Sequence, residues 1–256
     1  MKIEQVALQL YTLRDHLKTP ADIAATLRRV RAVGYQAVQA SGLGPIPEAE
    51  LLAILDGEGL RLCATHEPSD TILNDPAAVV ERLTKLGCAY TAYPHPGGVN
   101  LADPAQVRRL AERLDAAGKV LHDAGQVLTY HNHATEFLRM GDETVLDFLY
   151  AQTDENHLQA EIDTYWVQYG GGDPVAWCEK LAGRLPLLHL KDYAFTPENK
   201  PVFAEIGAGN LDWKKIIAAA ERSGCQWFIV EQDTCPGDPF DSVAQSYRYL
   251  AEHVCG

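Results

Sequence analysis

Six stretches of this chain place titratable side chains directly after short apolar runs: His66-Glu67, His95, His131-Asn132-His133 with Glu136, Glu161-Ile162-Asp163, His189-Leu190-Lys191-Asp192 and Glu231-Gln232-Asp233. The densest is Gln126 to Phe137, QVLTYHNHATEF, where a buried-strand pattern over Val127 to Tyr130 stops at two histidines and, shortly after, a glutamate. Side chains alternate along a strand, so His131 and His133 point to one side and Asn132 to the other. Two imidazoles and a carboxylate at a strand end make either a metal site or an acid/base site. Glu136, Asp163 and His189 follow one another at intervals of about one strand-helix unit, and Glu231 comes one unit and a long connection later. One ligand per unit is what a single cation at the end of a barrel requires. Three carboxylates and one imidazole form a hard donor set that suits Mn²⁺ foremost, with Mg²⁺, Co²⁺ and Zn²⁺ also compatible. Without a cation such groups repel one another and are costly to desolvate. The competing arrangement is a rim of ion pairs and hydrogen bonds.

The elements that must position these residues are marked by repeated punctuation. Strands are expected over Val6–Leu10, Ala37–Ala40, Leu60–Ala64, Cys88–Ala92, Val127–Tyr130, Leu158–Ile162, Leu187–Leu190 and Trp227–Val230. Helices begin at Thr19-Pro20, Pro47, Asp75-Pro76, Asp103-Pro104, Thr144, Asp173-Pro174, Leu211 and Pro239, most with a capping oxygen followed by proline. Glycines at 34, 59, 87, 125 and 224 sit between a helix and the next strand, where a left-handed residue turns the chain back. Apolar strands alternating with helices imply parallel pairing with both faces covered. Eight such units in this length match a (β/α)8 TIM barrel, read as one domain over residues 1–256. In such a barrel all the strand ends above face one mouth. The long connection from Asp192 to Asn210 reads as an irregular loop over that mouth.

Bulk composition narrows the partners. The chain carries 22 Lys and Arg against 35 Asp and Glu, a formal charge of −13. A field of that sign disfavours nucleic acid and anionic membrane as partners, and fits a small neutral polar substrate. The opening MKIEQVALQLYTLRD is too quickly charged for a secretory signal, and no apolar run approaches the ~20 residues of a membrane span. The expected compartment is therefore the cytoplasm. Six scattered cysteines without a C-x-x-C pair fit buried thiols there.

The segments QLYTLRD, TYHNHATEF, EIDTYWVQYGGGDP, LLHLKDY, EIGAGNLDW and FIVEQD together resemble the sugar phosphate isomerase/epimerase family of xylose isomerase-like barrels, over essentially the whole chain. That superfamily also holds inosose dehydratases, ketose 3-epimerases and an AP-endonuclease branch, the last opposed here by the acidic charge. The resemblance implies metal ligation by Asp163, His189 and Glu231. Many relatives place a glutamate where this chain has His131, so the fourth ligand is either His131 or Glu136. A hard cation prefers the carboxylate, which makes Glu136 the expected ligand and frees the histidines for proton transfer.

The implied activity is metal-dependent isomerisation or epimerisation of a small carbohydrate, a keto sugar or keto-polyol, by proton abstraction through an enediolate. The alternative is a dehydratase or lyase acting on a keto sugar or inosose. The base is expected among His131, His133 and Glu231. Lys191 either holds a substrate oxygen or pairs with a neighbouring carboxylate. His66 and His95 are expected to bind substrate hydroxyls, and Tyr11 and Trp166 to wall a sugar ring, against simple rim packing for each. Gly170-Gly171-Gly172-Asp173-Pro174 reads first as a turn and cap. The oligomeric state is open, a homo-oligomer included.

Overall fold

Each apolar run read as a strand takes a place in one closed parallel barrel. In the computed structural model, which describes residues 1–255, the staves are β1 (Val6–Gln9), β2 (Ala37–Ala40), β3 (Arg61–His66), β4 (Tyr90–Tyr93), β5 (Val127–His131), β6 (Gln159–Asp163), β7 (Leu187–Leu190) and β8 (Trp227–Val230). They pair in chain order, and β1 closes the ring against β8 through Leu8 opposite Val230. The helices are α1 (Pro20–Val33), α2 (Glu48–Glu58), α3 (Ser69–Asn74), α4 (Pro76–Leu86), α5 (Pro104–Asp123), α6 (Val145–Ala151), α7 (Thr164–Tyr169), α8 (Pro174–Lys180), α9 (Trp213–Arg222) and α10 (Pro239–His253).

The predicted caps form. Thr19 and Asp22 make a reciprocal capping box at α1, while Asp75, Asp103 and Asp173 each accept a backbone N–H ahead of a proline. Gly87 ends α4 at φ 60°, in the left-handed region where a side chain is strained. The glycine run at 170–172 serves as a turn: Gly170 and Gly172 lie against the Phe137 ring, where a Cβ would collide.

Strand alternation divides the apolar residues into two cores. Val6, Leu8, Val38, Leu128, Ile162, Leu188 and Phe228 face outward into the layer beneath the helices. Ala7, Ala37, Cys63, Leu187 and Ile229 form a separate small cluster inside the barrel. Towards the mouth, the inward positions on the same strands become polar, with Gln9, Gln39, Thr65, Thr91, Thr129, Glu161 and His189 all buried.

Three features depart from the sequence reading. Strands β3, β5 and β6 run on through His66, His131 and Asp163, because ladder pairing continues to His131 opposite Glu161 and Asp163 opposite His189. The connection after β7 is not irregular but folds into a hairpin, Asp192–Phe195 against Pro201–Ala204, whose turn uses Asn199 at φ 61°. Pro201 and the polar turn mask its two-residue period in the sequence. Short helices α3 and α7 also form beyond those expected, α7 being capped by Asp163 itself. All six cysteines are free and four are buried. Among the described residues no helix is long and apolar enough to cross a membrane.

Candidate metal centre at the barrel mouth

Register brings His131, Asp163, His189 and Glu231 together from β5, β6, β7 and the residue after β8. One ligand atom from each lies within 4.8 Å of all the others, and all four side chains are buried. His189 Nδ1 stands 2.9 Å from Glu231 Oε2 and 3.9 Å from Asp163 Oδ2, and His131 Nε2 lies 3.9 Å from the same Asp163 oxygen. Asn132, pointing away from its two histidine neighbours, accepts the Asp163 N–H at 2.9 Å and locks β6 to the end of β5.

Lys191 completes the charge pattern. Its Nζ lies 2.9 Å from Asp163, 2.7 Å from Glu231 and 3.2 Å from Asp233. Burial alone would lower its pKa, but those three carboxylates overcome the penalty and hold it above the ordinary lysine value. Lys191 therefore remains an ammonium, and its ion-pair reading is the one the geometry displays. Burial raises Asp163 to about 6 despite the lysine beside it. Glu231 is held well below the usual range, Lys191 and His189 outweighing its burial.

The imidazoles differ sharply. Burial and the neighbouring His189 push His131 down to about 3, and burial with the field of His131 pushes His133 down to about 2, so both rings are neutral at physiological pH. Burial opposes charge on His189 too, yet Glu161 and Glu231 hold it up at about 10.

The donor set fits a divalent cation. Asp163 Oδ2 is buried with Lys191 Nζ, at 2.9 Å, as its closest donor, and the carboxylates of Glu161, Asp163, Glu231 and Asp233 outnumber the cationic Lys191 and His189 among them. A divalent ion held by His131, Asp163, His189 and Glu231 would supply the missing positive charge.

Glu136 stands elsewhere, which corrects the expected ligand set. The chain turns at once into a 3-10 segment, Ala134–Phe137, and swings the carboxylate back beneath the end of β5. There it accepts from Tyr130 OH at 3.0 Å, His133 N at 2.9 Å and Thr135 Oγ1 at 3.1 Å, and it is fully buried. Donors from its own turn and from Tyr130 hold it there, and His131, not Glu136, stands in the cluster.

Above these four residues opens a cavity of about 470 Å³ walled by Tyr11, His66, His95, His131, His133, Lys191 and Glu231, with Arg14, Ser41 and Asp233. The residues expected to meet substrate thus gather there, with one exception. Trp166 stands behind His133, ring centroids 5.5 Å apart, in an aromatic pile with Tyr165, Tyr169 and Phe203. It supports the wall instead of lining it. Tyr11 is the exposed lip, with the Arg14 guanidinium 4.4 Å over its ring.

Beneath these four residues lies a polar layer that joins Glu161 and His66 to Gln9 and Gln39, two glutamines outside the strand-end motifs. Glu161, fully buried, receives Gln39 Nε2 at 2.6 Å and His66 Nε2 at 2.5 Å, and Gln9 Nε2 donates to Gln39 at 3.0 Å. The available signal was an isolated glutamine at an inward position of an apolar strand, VALQ and AVQA, and a glutamate on the same face as Asp163 in QAEID.

Comparison with known proteins agrees with this architecture. A family model described as the xylose isomerase-like TIM barrel matches residues 27–253. An inosose dehydratase of Clostridium beijerinckii is 28% identical over 160 residues, 56% of this chain and 53% of that one. The chain spans about half the length of the curated relatives it matches. A sugar phosphate isomerase/epimerase of Parabacteroides distasonis superposes with TM-score 0.82 at 22% identity, covering 99% of this chain and 96% of the other. A xylose isomerase-like barrel protein of Mycobacterium smegmatis, solved in complex with magnesium, superposes with TM-score 0.76 at 15% identity, covering 98% and 97%.

Proposed function

Because the chain belongs to the xylose isomerase-like TIM-barrel family, we propose that it is a divalent-metal-dependent isomerase or epimerase of a small carbohydrate, a keto sugar or keto-polyol, that works by removing a proton next to the carbonyl. The observation that carries this reading is the convergence of His131, Asp163, His189 and Glu231 within 4.8 Å beneath a polar cavity. The substitution of His131 for Glu136 makes the donor set two nitrogens and two oxygens. That set suits Mn²⁺, Co²⁺ and Zn²⁺ better than Mg²⁺.

When bound, the cation would act as a Lewis acid that polarises the carbonyl and stabilises negative charge on its oxygen. The protein's own residues do the rest. Lys191 stays charged and stabilises a neighbouring oxyanion; it is not a base. Glu231, held as a carboxylate, and His133, held neutral, line the cavity from β8 and β5, on separated arcs of the ring. Both are in proton-accepting form, so either can take the proton from its side of the carbon; delivery from the opposite side, which yields an epimer, uses a proton that the other residue has first drawn from water in the open cavity. Delivery to the adjacent carbon yields an isomer. Tyr11 and His95 flank the opening and supply an apolar edge and a hydrogen-bonding edge for a sugar.

A second reading, expulsion of a β-hydroxyl after the same proton abstraction, is favoured by the relatives named inosose dehydratase. Incubating the Mn²⁺-loaded protein with keto sugars and inososes in deuterated water separates the two. Deuterium incorporation with every oxygen retained supports the isomerase or epimerase, and loss of water supports the dehydratase. Neither exchange nor loss, in protein shown to bind Mn²⁺, overturns both.

A further inference from the structure

The buried carboxylate of Glu161 stands next to the proposed ligands, and its surroundings determine which nitrogen of His189 faces the cation. Two overlapping groups of donor atoms occupy the barrel mouth: His131, Asp163, His189 and Glu231 above, and His66, His131, Glu161 and His189 below. His131 and His189 belong to both, each presenting one ring nitrogen upward and the other downward. A neutral imidazole has one lone pair, so neither ring can serve both groups at once.

Hydrogen-bond accounting decides between them. A carboxylate only accepts, so the Gln39 nitrogen, 2.6 Å from Glu161 Oε2, must be the donor there. That orientation leaves Gln39 Oε1 facing Gln9 Nε2 at 3.0 Å and His189 Nε2 at 2.7 Å. His189 Nε2 also lies 3.1 Å from Glu161 Oε1. Both of its neighbours are acceptors, so Nε2 carries the hydrogen. Nδ1 faces Glu231 Oε2 at 2.9 Å and Asp163 Oδ2 at 3.9 Å, which are acceptors as well, so without a cation it also carries a hydrogen; it is this Nδ1 proton, not the Nε2 hydrogen held from beneath, that a cation would replace. The same Glu161 oxygen lies 3.2 Å from His131 Nδ1 and favours the matching arrangement on that ring.

We propose that Glu161, with Gln39 as its relay, is the positioning residue of the metal centre: it fixes the His189 tautomer from beneath and so selects the upper group of ligands as the single cation site. This inference rests on the metal-dependent reading above. Outer carboxylates that hold a ligating histidine in this manner typically change metal affinity by 10–100-fold when removed. In a Glu161→Gln variant the amide presents donors as well as an acceptor. The network can then invert, leaving a hydrogen on His189 Nδ1 where the cation must bind.

Mn²⁺ affinity, read from the electron paramagnetic resonance signal of the free ion, is compared in wild type, Glu161→Gln and Gln39→Met. The ¹⁵N spectrum of His189 is recorded in the Zn²⁺-loaded wild type. The expected results are an affinity loss of about 10–100-fold in Glu161→Gln, a smaller loss in Gln39→Met, and a hydrogen on His189 Nε2. Wild-type affinity in either folded variant overturns the inference, as does a hydrogen on Nδ1 in the Zn²⁺-loaded protein, which needs no variant. Failure of the wild type to bind Mn²⁺ would instead overturn the metal-dependent reading itself.

Discussion

Replacing Asp192 tests how the hairpin over the barrel mouth is held. This aspartate is fully buried, and its two oxygens accept five hydrogen bonds. Oδ2 takes Gly207 N at 2.9 Å, Gly209 N at 3.2 Å and Trp213 Nε1 at 2.7 Å, while Oδ1 takes Tyr193 N at 2.8 Å and Leu211 N at 3.3 Å. One carboxylate thus gathers the whole return path from the hairpin to α9. Hydrogen bonds to a charged group are each worth about 1.5–3 kcal/mol. They share one acceptor and one water could replace some of them, so their sum is not available. For Asp192→Asn, one amide N–H₂ must face two or more donors, and a loss of about 3 kcal/mol follows from the two bonds most directly broken, taken at the lower end of that range. In a domain of this size each kcal/mol moves Tm by roughly 2–4 °C. The expected drop is therefore about 6–12 °C, with faster proteolysis confined to the segment between the hairpin and α9. Thermal and urea unfolding measure the first, and limited proteolysis with mass spectrometry measures the second. A change within about 0.5 kcal/mol, the ordinary scale of an exposed substitution, would refute the assignment of Asp192 as the anchor.

Asp163→Ala and Glu231→Ala should each lose Mn²⁺ while circular dichroism stays that of the barrel; metal retained stoichiometrically by both would sink the ligand set. For the wild type, Mn²⁺ at 100 times its Kd should add about 2.7 kcal/mol of stability, seen as a rise in Tm, and an unchanged Tm counts against a built cation site. Glu136→Gln should keep Mn²⁺ binding but cost roughly 1–3 kcal/mol through its lost turn contacts; loss of the metal with stability intact would return Glu136 to the ligands. Gly118→Ala should destabilise although alanine is the better helix former by about 1 kcal/mol, because its Cβ would lie 1.8 Å from the His157 carbonyl oxygen. Equal or greater stability on denaturant unfolding would show that the two segments can part at little cost.

The barrel and most of its mouth were legible in the linear chain because their signals are local. Asp-Pro and Thr-Pro starts, glycine stops and apolar runs mark units one after another, and strand direction then sends every run's polar end to one face. Asp163, His189 and Glu231 could be picked out on that basis, since each sits at the end of its strand and needs only the fold class to be placed. Trp166 was misplaced because the same logic does not say how a helix begun by Asp163 turns its next side chains, and here they stack on the hairpin aromatics.

The choice between His131 and Glu136 belonged to the tertiary structure. Both are candidate ligands within a few residues, and the outcome depends on the 3-10 turn that gives Glu136 three local donors and carries it away from the cluster. The Gln9, Gln39 and Glu161 layer is still less visible in the linear chain. Gln9 and Gln39 are lone polar residues in apolar runs, Glu161 stands two residues before Asp163, and only closure of the ring sets β1, β2 and β6 around the same space. Sequence by itself determined which strand ends reach the mouth, because periodicity and punctuation act over a few neighbours. Tertiary structure alone decided which of their residues meet and which nitrogen of His189 faces the ligands, because hydrogen-bond direction across a barrel depends on contacts between strands far apart in the chain.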